Sequence, residues 1–101
     1  MNISEIIEKA YNNAINKGFF DRDVEINDML IQIVSEIGEL YEAVRRGEDV
    51  DRISEEMADI IISWASMAGR LQAEFDMDME YEVMRKMTLD EGRPYRNGKL
   101  F

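Results

Sequence analysis

The chain has 101 residues, a formal net charge of −10, no Cys and no His, so it reads as one domain spanning 1–101 in which disulfides, thiolate or imidazole metal sites and Ser–His or Cys–His catalysis are excluded. The acidic balance opposes broad binding to nucleic acid or anionic membrane, and no apolar run approaches the roughly 20 residues that span a bilayer. Met1-Asn2-Ile3-Ser4-Glu5 lacks the basic-then-apolar pattern of a secretion signal, so a soluble, cytoplasmic domain is expected.

Strand signals are absent and the only Pro is Pro94, which argues for an all-α domain. The first predicted helix runs from Ile3 to Lys17, capped by Asn2 or Ser4. Ile3, Ile6, Ile7, Ala10, Tyr11, Ala14 and Ile15 form one apolar stripe, and Gly18 ends it. Gly18 to Asp23 is a loop. Phe19 and Phe20 there read first as core plugs, with stacking of one ring on a nucleobase as the alternative.

The second helix is predicted from Ile26 to Arg46. Ile26, Met29, Leu30, Ile33, Val34, Ile37, Leu40, Tyr41 and Val44 cover one broad face. Glu36 lies just outside its edge, half-buried, and Glu39 roughly 60° further round, more open. Arg45 and Arg46 suit the negative end of the helix dipole, and Gly47 stops the helix.

The third helix, about Asp51 to Ala73, is apolar over more than half its circumference. Burial on several sides is expected, partly against a second protomer. Its one continuous polar strip holds Glu55, Glu56, Asp59, Ser63, Ser66 and Arg70. A fourth helix opens at Asp76 to Glu80 and continues to Glu91, with Val83, Met84 and Met87 inward. The tail from Gly92 is non-helical and basic. The fold expected is a four-helix, antiparallel bundle-like domain completed by oligomerisation.

Acidic pairs at i,i+3 occur at about their chance frequency in so acidic a chain, so spacing alone selects nothing. Position selects more. Glu39 and Glu56 lie at equal distances on either side of the turn near Gly47 to Asp49, hence at one height on antiparallel neighbours. Glu36 and Asp59 pair one turn further on. Four carboxylates that converge would repel one another without a cation. Mg²⁺ prefers such hard oxygen ligands, can polarise a phosphoryl oxygen, and leaves a carboxylate to accept a proton from water.

Glu36-Ile37-Gly38-Glu39 and Glu56-Met57-Ala58-Asp59 resemble the Glu-x-x-Glu and Glu-x-x-Asp pairs of the MazG-type all-α nucleoside triphosphate pyrophosphohydrolases. The likeness extends to Lys17-Gly18-Phe19-Phe20-Asp21, the apolar lead-in Met29-Leu30-Ile31, Lys86-Met87, and Arg93-Pro94-Tyr95-Arg96-Asn97-Gly98-Lys99. It covers roughly Ala14 to Phe101. Such relatives often carry Arg and Asp where this chain has Ser63 and Ser66, Asn where it has Asp90, and His where it has Asn97.

The resemblance implies Mg²⁺-dependent hydrolysis, with Mn²⁺ as an alternative ion, of a (deoxy)nucleoside triphosphate to monophosphate and pyrophosphate, in a house-cleaning role. It implies metal ligands Glu36, Glu39, Glu56 and Asp59, with Glu39 the candidate catalytic residue, and a homodimer or homotetramer with sites near protomer interfaces. Lys86, Arg93, Lys17 and Phe20 become candidate substrate contacts. A phosphoribosyl-ATP pyrophosphatase-like enzyme and a catalytically weak helical binding or oligomerisation module on the same fold are the alternatives.

Overall fold

Backbone caps in the sequence set the helix ends. A computed structural model describes residues 1–94 and places α1 at Ile3–Asn16, α2 at Ile26–Arg45, α3 at Val50–Glu74 and α4 at Met79–Glu91. The reading of the tail at 95–101 lies outside the described residues. Asn2 caps α1: its side-chain oxygen accepts from the Glu5 N–H at 2.8 Å, and the Glu5 carboxylate accepts from the Asn2 N–H at 3.2 Å. Asp49 caps α3 by accepting from the Arg52 N–H at 2.9 Å, and Asp78 caps α4 by accepting from the Tyr81 N–H at 3.1 Å. Asp78 is why α4 begins at Met79 and not at Asp76: the side chain that satisfies the exposed N–H groups sits at that position.

Gly18 and Gly47 have φ of 81° and 69°, the left-handed region that closes a helix. At each, the following amide turns back into the helix. Phe19 N–H donates to the Ala14 carbonyl at 3.0 Å, and Glu48 N–H donates to the Ala43 carbonyl at 3.0 Å. These two stops fix where the loop after α1 and the hairpin between α2 and α3 begin.

α3 is the spine. α1 and α2 both pack along it, and α4 packs mainly on α1. The core is small: Ile7, Ala65 and Ala68 form its buried centre, with Ile3, Ile6, Ala10, Trp64 and Met79 partly buried around them. Small residues on α3 allow the close approach of α1. At buried Gly69 an added Cβ would stand 2.4 Å from Tyr11 Cβ. Gln72 Oε1 accepts from the Met79 N–H at 2.9 Å, and Glu80 accepts from the Ser4 hydroxyl at 3.2 Å, which ties the start of α4 to α3 and α1. Arg70 fastens the loop after α1. It donates to the Val24 carbonyl at 2.8 Å, lies 5.3 Å from the centre of the Phe20 ring, and pairs with Glu74.

The broad apolar face of α2 is only partly covered. Met29 and Ala43 are buried against α3, but Leu30, Val34, Ile37, Tyr41 and Val44 are exposed, Val34 to 67% and Tyr41 to 65%. The third helix is likewise covered on fewer sides than its composition implies. α1 is shorter than α3 and reaches only its C-terminal half, so Val50, Met57 and Ile61 nearer the hairpin stay open. No described helix is long and apolar enough to cross a membrane.

The α1–α3 contact at Gly69 is testable. Gly69→Ala should destabilise the fold by about 1–3 kcal/mol, because the new methyl meets the Tyr11 stem and not a flexible side-chain end. Thermal or urea unfolding followed by circular dichroism checks it. Gly38→Ala, where an added Cβ meets nothing within 4 Å, should not destabilise and serves as the control.

Candidate functional site

Residues on α2 that face α3 recur at Met29, Glu36 and Ala43, one every second turn, so a carboxylate occupies a core-facing position. On α3, Arg52, Glu56, Asp59 and Ser63 fall within about 60° of one another around the axis. The antiparallel hairpin sets these two rows side by side. Glu36 is 9% exposed and Glu56 1%, while Glu39 and Asp59 are exposed at the rim.

Each buried carboxylate has one satisfied oxygen and one orphan. Glu36 Oε1 accepts from the Ser63 hydroxyl at 2.7 Å and from Gln32 Nε2 at 2.8 Å. Glu56 Oε1 pairs with the Arg52 guanidinium. Glu36 Oε2 and Glu56 Oε2 are buried with no hydrogen-bond partner. A buried polar atom without a partner costs free energy, and on a carboxylate it calls for a donor or a cation.

Burial pushes the Glu56 carboxyl above its ordinary value of 4.5. The Arg52 guanidinium works against that rise, and the negative charge of the nearby Glu39 and Asp59 carboxylates adds to it. Glu39 and Asp59 therefore lie near Glu56, while Glu36 is turned to Ser63 and Gln32. Among the described residues, no group of three or more Asp or Glu side chains is placed so that it could hold a metal ion. The donor set nevertheless fits a hard divalent cation: it is all oxygen, and it includes two buried unpartnered oxygens on facing helices.

A cavity flanks the carboxylates on each side. One, of about 350 Å³, lies between α1, α2 and α3. Ala10, Ala14, Phe19, Met29 and Ile62 supply its apolar walls, and Asn13, Lys17, Gln32, Ser63 and Ser66 its polar edges. The other, of about 400 Å³, lies at the hairpin end and is lined mainly by charged and small residues, including Glu39, Glu56, Arg46 and Arg52.

The sequence-derived substrate contacts divide accordingly. Lys17 lines the first cavity. Phe20 does not; it packs edge-on against Tyr11 at 5.5 Å and against Phe19 at 5.0 Å, with Arg70 over its face, and Phe19 is the ring that reaches the cavity. Lys86 and Arg93 line neither cavity: Lys86 is exposed on α4, which packs mainly on α1, and Arg93 pairs with Asp90 at 3.3 Å. Gln32 and Arg52 are the site residues that pattern reading passes over. Ser63 is signalled by the polar strip of α3 that it shares with Glu56 and Asp59, and Phe19 by its place as one of two loop rings suited to stacking on a base.

Because the folded-state value of Glu56 is raised, its stabilising contribution is fully present below the ordinary value of 4.5 and is lost as pH rises through the raised value. Glu56→Gln should therefore raise the melting temperature of chelator-treated protein near neutral pH. The gain should shrink as pH falls toward the ordinary carboxylate range. Scanning calorimetry across pH checks both the sign and the trend.

The family model of the MazG nucleotide pyrophosphohydrolase domain matches residues 24–89, from the last residues of the loop after α1 to the last turns of α4. No curated protein and no solved structure matches the chain. The matched span covers more than half of the sequence and contains all four carboxylates of the hairpin, and the chain belongs to the MazG nucleotide pyrophosphohydrolase domain family.

Proposed function

We propose that the chain hydrolyses a (deoxy)nucleoside triphosphate to the monophosphate and pyrophosphate with Mg²⁺, or Mn²⁺ in its place, in a house-cleaning role on the cytoplasmic nucleotide pool. The observation that carries this reading is the pair of buried, unpartnered oxygens Glu36 Oε2 and Glu56 Oε2 on facing helices inside the matched span. Glu36, Glu39, Glu56 and Asp59 would hold the ion. When bound, it polarises a phosphoryl oxygen and offsets the charge of the carboxylates and the polyphosphate.

The chain's own groups do the rest. The nucleoside enters the cavity between α1, α2 and α3, where Phe19, Met29 and Ile62 offer apolar contact and Asn13, Gln32 and Ser66 offer hydrogen bonds at the edge. Lys17 lies on the same wall and contributes positive charge. Ser63 and Gln32 hold Glu36 in place through its Oε1, leaving Oε2 as the reactive edge. Glu39, exposed at the rim, accepts the proton of the attacking water. The water oxygen bonds to the α-phosphorus, the bond to the bridging oxygen breaks, and pyrophosphate leaves with that electron pair.

A second copy of the chain belongs to the same proposal. Leu30, Val34, Ile37, Tyr41 and Val44 follow the alternating three- and four-residue spacing of a helix–helix seam, and all are exposed. The radius of gyration is 15.9 Å, against about 13 Å for a compact domain of this length. Around α2, Glu39 lies about 180° from the centre of this stripe, so a partner seated there leaves the rim carboxylate open.

Glu39→Ala and Asp59→Ala should each abolish Mg²⁺-dependent pyrophosphate release while leaving the helical circular dichroism spectrum intact. A panel of nucleoside triphosphates scored for pyrophosphate reads this out. Turnover at the wild-type rate in both variants would refute the site, and no turnover of any triphosphate by the unaltered chain would favour a binding module. For the interface, Val34→Glu with Ile37→Lys should lower the mass measured by light scattering to that of one chain. An unaltered chain that already has the mass of one chain would exclude the partner.

A further inference from the structure

The two cavities beside the carboxylates differ in chemistry, and the difference gives the bound triphosphate a direction. The cavity between α1, α2 and α3 is walled by Ala10, Ala14, Met29, Phe19 and Ile62 and suits a nucleoside. The cavity at the hairpin end has no large apolar wall. Its charged lining is Glu39, Glu42, Glu48 and Glu56 together with two guanidinium groups, Arg46 and Arg52. Along α3, Arg52, Glu56, Asp59 and Ser63 share one strip, and from Ser63 back to Arg52 the axis runs about 16 Å. A triphosphate whose nucleoside end lies near Ser63 and whose α-phosphate lies at the carboxylates therefore carries its terminal phosphates toward Arg52 and Arg46.

Resting on the pyrophosphohydrolase reading above, the geometry points to Arg46 and Arg52 as the groups that receive the leaving pyrophosphate, making the hairpin end the product subsite. When the bond between the α-phosphorus and the bridging oxygen breaks, the electron pair stays on that oxygen and negative charge grows on the pyrophosphate. A planar guanidinium can meet two phosphate oxygens at once, which suits it to that charge.

Both side chains reach solvent at the mouth of this cavity. Arg46 is 66% exposed and touches the exposed Glu42 at 3.6 Å. Arg52 is half exposed and reaches Glu55 at 3.5 Å as well as Glu56. The cavity's own carboxylates oppose a bare anion, so pyrophosphate would enter as its magnesium complex, with Glu39 and Glu56 available to hold the cation and the two arginines available to the phosphate oxygens. This subsite lies within one chain and needs no residue of α4.

Calorimetric titration with inorganic pyrophosphate in Mg²⁺ tests it on the unaltered chain, Arg46→Gln, Arg52→Gln, Arg52→Lys and, as a control on α4, Arg85→Gln. Arg46→Gln and Arg52→Gln should each weaken binding by roughly tenfold and raise the inhibition constant of pyrophosphate in the triphosphate assay in parallel. Arg85→Gln should bind as the unaltered chain does. Arg52→Lys keeps a positive charge beside Glu56, so it folds even if Arg52→Gln does not, and its loss of affinity then reports the two-oxygen contact. Arg46→Gln breaks only an exposed pair and carries the test independently.

Triphosphate turnover with pyrophosphate binding unchanged in the arginine variants would overturn the subsite and keep the functional reading. Arginine-dependent pyrophosphate binding with no turnover would overturn the reading and keep the subsite.

Discussion

α2 and α3 take two carboxylates out of water and set them in the same interface. Glu56 is the most buried charged side chain described, and Glu36 is nearly as enclosed. A small all-helical domain gains little from such burial, because each ionised group gives up its hydration for a single satisfied oxygen. The arrangement makes sense once the interface is read as a site. Ser63 and Gln32 orient Glu36, Arg52 neutralises part of Glu56, and the remaining oxygen of each group is left without a partner. Stability is given up locally so that two oxygens stay available.

The rest of the fold supports that compromise. The Gly47 stop and the Asp49 cap fix the length of the turn, and with it the height at which Glu39 meets Glu56. Gly69 and the alanines of α3 let α1 approach closely, which stiffens the far end of the spine and closes one side of the apolar cavity. Arg70 holds the loop that carries Lys17 and Phe19 to that cavity. The polar strip of α3 thus serves three tasks along its length: charge at the hairpin end, carboxylates in the middle, and hydroxyl groups and a loop anchor beyond.

The apolar surface follows a different logic. Nearly half of the residues are hydrophobic, yet few are buried, and the exposed ones line up on α2 and on the uncovered half of α3. The helices are long relative to the number available to cover them, so one chain cannot enclose its own apolar faces. The seam on α2 points away from Glu39 and Arg46, which separates the surface that association would cover from the surface that substrate must reach.

Much of this was legible in the sequence. Helical periodicity, Gly stops and acidic caps gave four helices to within a few residues, because those signals act locally. The pairing of Glu39 with Glu56 followed from counting residues away from a turn, since the rise of a helix is constant. Membership of the family rested on the same local motifs. What the sequence could not decide depended on which elements touch. Periodicity assigned α2 one broad apolar face, but only packing shows that Met29 and Ala43 are covered while Val34 and Tyr41 are not. Adjacent Phe19 and Phe20 are chemically identical, and only the loop's geometry gives one to the cavity and the other to Arg70. Lys86 resembles a phosphate contact by motif, but α4 packs mainly on α1. Sequence determined the helices and the carboxylates because both are set by neighbours in the chain. Tertiary structure decided the orphan oxygens, the two cavities and the placing of Arg46 and Arg52 in the hairpin-end one, because those depend on residues that meet only when α1 and α2 pack on α3.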